Sequence, residues 1–130
     1  MRLVNYGPGE ISDRLTILSL KILFGTEAGK DTKHFVDERN VLLKEIAART
    51  LNGKWFEQVI ALGAINAALW HAESDLRLLR KREAEDHTQE AFYQDVCRVS
   101  FRIQQFNDQR AVCIEQINRD SGNHLGTEKL

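Results

Sequence analysis

The chain has 130 residues and a formal net charge of -1, from 18 Lys plus Arg against 19 Asp plus Glu. That length suits one domain with its own core, and the balance argues against a non-specific nucleic-acid binder and against an acidic tail protein. Hydrophobic residues at 42% and charged residues at 28% exclude a disordered chain, and one proline with eight glycines is too few turn signals for a β-sandwich or barrel.

Glycines and polar clusters punctuate an all-α pattern of four helices. The first is expected over about 9–24. Ile11, Leu15, Leu18 and Ile22 form one stripe and Ile17, Leu20 and Phe24 a second, which predicts a buried helix with Gly25 as its C-cap. The second is expected over about 31–49, with Phe35 or Val36, Leu42, Leu43, Ile46 and Ala47 facing the core. Between Lys54 and Ser121 there is no proline and one glycine, Gly63. Two seams with alternating spacings of four and three run through this stretch. One is Trp55, Val59, Leu62, Asn66, Leu69, Glu73, Leu76. The other is Phe92, Val96, Val99, Ile103, Phe106, Arg110, Cys113, Ile117. Asp86 with Gln89 reads as a capping box and Thr88 as a second N-cap. The stretch therefore folds into a long antiparallel hairpin, about 54–83 and 88–119, with the two shorter helices packed on it. Residues 1–6 read as a short extended arm and 121–130 as a tail of the single 1–130 domain.

Lengths carry a consequence. At 1.5 Å per residue the long helices span about 45 Å and the short ones about 25 Å. The short pair then leaves the hairpin tip uncovered, with Leu76, Leu79, Phe92, Tyr93 and Val96 on it. Soluble monomers avoid such patches, so these residues are the expected interface of a homo-oligomer, most simply a two-fold dimer.

Polar residues interrupt the seams. Asn66, Trp70, Glu73 and Arg77 share a face of the third helix, and Asn107 and Arg110 a face of the fourth. Glu10, Asp13 and Arg14 lie together on the first. Folding the hairpin near residue 86 brings Asn66 level with about 106. Three acids (Glu10, Asp13, Glu73) then meet three arginines (Arg14, Arg77, Arg110), two amides and Trp70 inside the bundle. One reading is a buried ion-pair network that sets helix register. The other is a ligand site, with arginine forks for phosphate or carboxylate and carboxylates for a base.

Known catalytic templates fit poorly. Asp31-Thr-Lys-His34 is one D-x-x-H where di-iron bundles need two E-x-x-H motifs and two further Glu. His71-Ala-Glu73 lacks the P-C-x-x-C of zinc deaminases. Glu10-Ile-Ser-Asp13 supplies one E-x-x-D of the all-helical nucleotide pyrophosphatases without an E-x-x-E partner. No phosphate-binding glycine loop follows a strand. No metal or cofactor is expected, and the four histidines read as solvated. The basic run Arg77, Arg80, Lys81, Arg82 is followed by Glu83, Glu85, Asp86 and Glu90, which argues against nucleic acid. The stretch from Ile11 to Phe24 is too short and too charged to span a bilayer, and no signal-like apolar run opens the chain. Cys97 and Cys113 lie about 24 Å apart on one helix, too far to bridge. Both read as small core residues, and the expected compartment is the cytoplasm.

Three stretches, GEISDRLTIL (9–18), NAALWHAESDLR (66–77) and RVSFRIQQFNDQRAVCIEQIN (98–118), resemble a family of short bacterial helical proteins of unknown function. That family carries G-E-x-x-D-[KR]-L-T-I-L, N-x-x-L-W-x-x-E and N-D-x-R-A segments. The resemblance implies a helical domain and no known reaction. Some members accompany sugar-transferase or envelope-polysaccharide proteins. It marks Gly9, Glu10, Asp13, Arg14, Asn66, Trp70, Glu73, Asn107, Asp108 and Arg110. The leading expectation is a non-enzymatic homo-oligomeric binding or assembly module, with a protein partner a further expectation. The alternative is a small-molecule binder or enzyme with its site between the first, third and fourth helices.

Overall fold

The structure, a computed structural model, describes residues 6–82 and 89–121. Four helices follow in order: α1 (Pro8–Glu27), α2 (Lys33–Ala47), α3 (Gly53–Arg82) and α4 (Gln89–Asp120). The caps expected at Asp86 and Thr88, and all of the tail beyond Ser121, lie outside the described residues. So do residues 1–5 of the expected N-terminal arm.

Each end has a local cause. Pro8 stands at the first position of α1, where its missing N–H costs nothing. Glu10 reaches back to accept the Gly7 N–H at 3.1 Å. The helix does not stop at Gly25. It continues two residues further, and Gly29, the one described residue with positive φ (72°), turns the chain after it. Gly25 serves close approach instead, because a Cβ there would press on the Thr32 side chain. Asp31, one residue before the N-cap Thr32, accepts the Lys33 N–H at 2.9 Å, so the acid of the D-x-x-H motif is spent at the start of α2.

α3 and α4 run antiparallel, with Gln58 and Lys54 bonded to Asp120 near one end and Asp75 facing Arg102 toward the other. Among the described residues α1 makes close backbone contact with all three other helices, whereas α2 does so with α1 alone. This explains why α1 is apolar on most sides. Ile11 and Leu18 meet Leu42 and Ile46 of α2 in one cluster, while Leu62 meets Cys113 and Ile117 in another. Trp55 packs against both clusters. Fully burying side chains of this kind stabilises the fold by about 1.5–3 kcal/mol each.

The α2 stripe is narrower than its sequence suggests. Leu42 and Ile46 are buried, but Leu43 and Ala47 are exposed, because a helix with one neighbour needs only one seam. Cys97 is also corrected: it is exposed, and only Cys113 is in the core. Cys97 lies on the side of α4 opposite the Val99, Cys113 and Ile117 face. Both thiols are free.

Candidate functional site

Asp13 is the centre of the polar interior. It sits on the second turn of α1, is 7% exposed, and faces both long helices. Arg110 of α4 grips it with two parallel bonds, Nε to Oδ1 at 2.9 Å and Nη2 to Oδ2 at 2.6 Å. Asn66 of α3, itself buried, donates to Oδ1 at 2.9 Å and to Thr16 Oγ1 at 2.7 Å. Thr16 in turn donates to the Asp13 carbonyl at 2.8 Å. Three helices are thereby tied at one carboxylate. The pairing raises the Arg110 pKa further, first through the bond to Asp13 against the opposing effect of burial, with the nearby charges of Asp13 and Glu73 adding to it.

A second tie closes the start of α1 onto the end of α4. Asn118 accepts the Gly9 N–H at 2.7 Å and donates to both Glu10 oxygens at 2.9 and 3.1 Å. The backbones approach so closely that a Cβ on Gly9 would collide with the Ile114 carbonyl, and one on Gly7 with the Asn118 side chain. A third tie runs to α3: the Trp55 indole N–H donates at 2.9 Å to the buried Ser12 hydroxyl, which donates to the Pro8 carbonyl at 2.6 Å.

The other residues singled out from sequence are dispersed. Arg14 turns away from the bundle centre and forms a two-bond pair with Glu38 of α2, at 2.7 and 2.8 Å. Arg77 is exposed and bonds Ser74 on its own helix. Glu73, Asn107 and Asp108 are exposed, and Glu73 acts on Arg110 only through its charge. Trp70 stacks on Phe24 of α1, with ring centres 5.2 Å apart, and so ends the polar stripe in an aromatic contact. Sequence reasoning missed Glu38, Asn118, Thr16 and the Trp55–Ser12 pair. Only Asn118 left a signal, as a polar residue one position after the last seam residue, Ile117.

The Arg14–Glu38 pair sets an acid limit. Its hydrogen bond to Arg14 holds the Glu38 carboxyl below the usual glutamate range, against the opposing effect of partial burial. A depressed folded-state pKa stabilises the fold above the unfolded-state value, and the gain disappears as pH falls through the folded-state value. Glu38→Gln is therefore expected to lower the melting temperature at neutral pH and to leave it nearly unchanged at pH values below the glutamate range. Melting curves recorded across that interval check it.

The tip residues divide. Leu76, Leu79, Phe92 and Val96 are half-buried, and Tyr93 is 54% exposed. Leu79 belongs to a cleft of about 240 Å³ that also includes Val99 and Arg102. Glu90, Tyr93, Gln94 and Cys97 line a separate open concavity on the first turns of α4.

Among the described residues no three His, Cys, Asp or Glu side chains group so as to hold a metal ion. His34 and His71 are exposed on helices, and His87 and His124 lie outside the described residues. No helix among the described residues is long and apolar enough to cross a membrane. No family model, curated protein or solved structure matches the chain.

Proposed function

We propose that the chain is a non-enzymatic helical module that assembles with a second copy of itself through the free end of the α3–α4 hairpin. The observation that carries this reading is where α1 stops. Near its C-terminal end Phe24 stacks on Trp70 and meets His71 edge-on. Of the hairpin's two helices, α3 continues to Arg82 and α4 starts at Gln89. Beyond that contact Leu76, Phe92 and Val96 are only half-buried, beside exposed Tyr93. Glu73, Arg77 and Arg80 of α3 and Glu90 of α4 place both signs of charge around this surface. A two-fold interface needs that self-complementarity. Cytoplasmic residence and a setting beside glycosyl-transfer machinery belong to the same proposal, the first from the free thiols and the second from the family resemblance.

The polar interior supports a structural part for the buried charges. Arg110 is occupied by Asp13 and Arg14 by Glu38, so two of the three arginines expected to hold an anion between α1, α3 and α4 are already neutralised. The ligand-site alternative has less support for that reason.

Sedimentation across a range of protein concentrations tests the reading. The wild-type chain is expected at twice the monomer mass, and Phe92→Glu or Val96→Glu at the monomer mass with helical content retained. A wild-type chain that stays monomeric, or stable dimers in both variants, would sink it.

A further inference from the structure

The back of the hairpin tip carries a cleft of about 240 Å³ between α3 and α4, and of its lining residues only Leu79 belongs to the expected assembly surface. It lies on the stripe Asp75, Leu79, Arg82 of α3. The side of α3 that carries α1 is the different stripe Asn66, Trp70, which continues as Glu73 and Arg77. Leu78, Leu79 and Val99 supply apolar lining, and Arg82, Arg98 and Arg102 bring three guanidiniums to it from two helices. Two carboxylates lie among them. Asp95 holds Arg98 at 2.6 Å, three residues away on α4. Asp75 faces Arg102 across the hairpin at 3.9 Å, too long for a hydrogen bond. Arg82 makes no ion pair or hydrogen bond among the described residues. Among the described residues the cleft thus has one more guanidinium than carboxylate, one cross-helix pair that is not closed, and one arginine, Arg82, without a partner.

We propose that this cleft binds a small phosphate-bearing anion. Guanidinium forks match the oxygens of phosphate in pairs, and forks arriving from two helices can share a tetrahedral anion that a single carboxylate would not span. The volume is below that of a drug-sized pocket and suits a phosphate or a small phosphomonoester. Arg82 and Arg102 supply the new bonds. Arg98 stays with Asp95 and contributes charge. The loose Asp75–Arg102 contact opens at little cost, because both side chains are about half exposed. An anion there would also fasten the last turn of α3 to α4 beyond the reach of α1.

Calorimetric titration of the full chain with inorganic phosphate, in a phosphate-free buffer of low ionic strength, tests this. Saturable binding is expected, with a dissociation constant of about a millimolar or tighter, weakening as salt is added. The double variant Arg82→Gln, Arg102→Gln is expected to bind about tenfold or more weakly while keeping its helical circular dichroism. Phe92→Ala, at an assembly residue outside the cleft lining and bringing no new charge, is expected to bind phosphate like the wild type, which separates this site from the assembly surface. Glycerol 3-phosphate and phosphatidic acid vesicles present the same group free and on a lipid. Whichever binds the wild type more tightly, and does so less in the double variant, identifies the source. Absence of saturable phosphate binding, or equal binding by the wild type and the double variant, would overturn the proposal.

Discussion

Arg110→Met lowers the melting temperature by about 10–15 °C, the equivalent of about 3 kcal/mol for a chain of this size. The cost arises at Asp13. Its carboxylate is almost fully removed from water, and Arg110 supplies two of its three hydrogen bonds. Methionine fills similar space and leaves that charge with Asn66 alone. The figure lies at the low end for a broken buried pair because the Arg110 side chain is one-third exposed, so water can reach part of the gap. Asp13→Asn is milder, since it strands a cation that can turn toward solvent. The double variant should cost less than the two single changes together, because the second change removes a charge that the first left unpaired. Thermal melts of all four proteins give this cycle. Additive losses would show that Asp13 and Arg110 contribute separately.

Gly9→Ala has an expected cost of about 2–3 kcal/mol, although it adds one methyl group. The added carbon would meet the backbone carbonyl of Ile114, which no side-chain rotation can relieve. α1 would have to move off α4, and that movement stretches the Gly9–Asn118 and Asp13–Arg110 bonds together. Gly63→Ala is the control. It lies on α3 facing Thr16 with ordinary spacing, and alanine favours helix, so its expected effect is neutral or stabilising. Chemical denaturation of the two variants checks the contrast, and equal losses at both sites would contradict the close approach.

The helices were legible to within a few residues because their signals are local. Gly29, Asp31 and Gly53 punctuate the short helices, and the four-three spacing from Trp55 to Leu76 and from Phe92 to Ile117 marks the long ones. Asp13 and Arg110 were legible because a charge inside an apolar seam needs a partner. What was not legible depends on how helices are placed relative to one another. Folding the hairpin near 86 put Asn107 and Arg110 opposite the 62–66 region, and Arg110 does meet Asn66 there on one carboxylate, whereas Asn107 is exposed. The level is set by Leu62 packing on Cys113 and Ile117, and it leaves Asn107 outside. Arg14 was assigned to the bundle centre because it is adjacent to Asp13 in sequence. One residue is 100° of helix, which turns it toward Glu38 of α2. Glu73 lies on the seam spacing and is nevertheless exposed.

The most direct test of the assembly reading is amide hydrogen exchange at two protein concentrations about a thousandfold apart, chosen to bracket the proposed dimer transition. The account predicts that residues 76–82 and 90–100 gain protection at the higher concentration, while α1, α2 and the base of the hairpin around Asp13, Asn66 and Arg110 exchange at the same rate in both. Exchange at the tip that is independent of concentration, or added protection confined to α2 or the base, would contradict it.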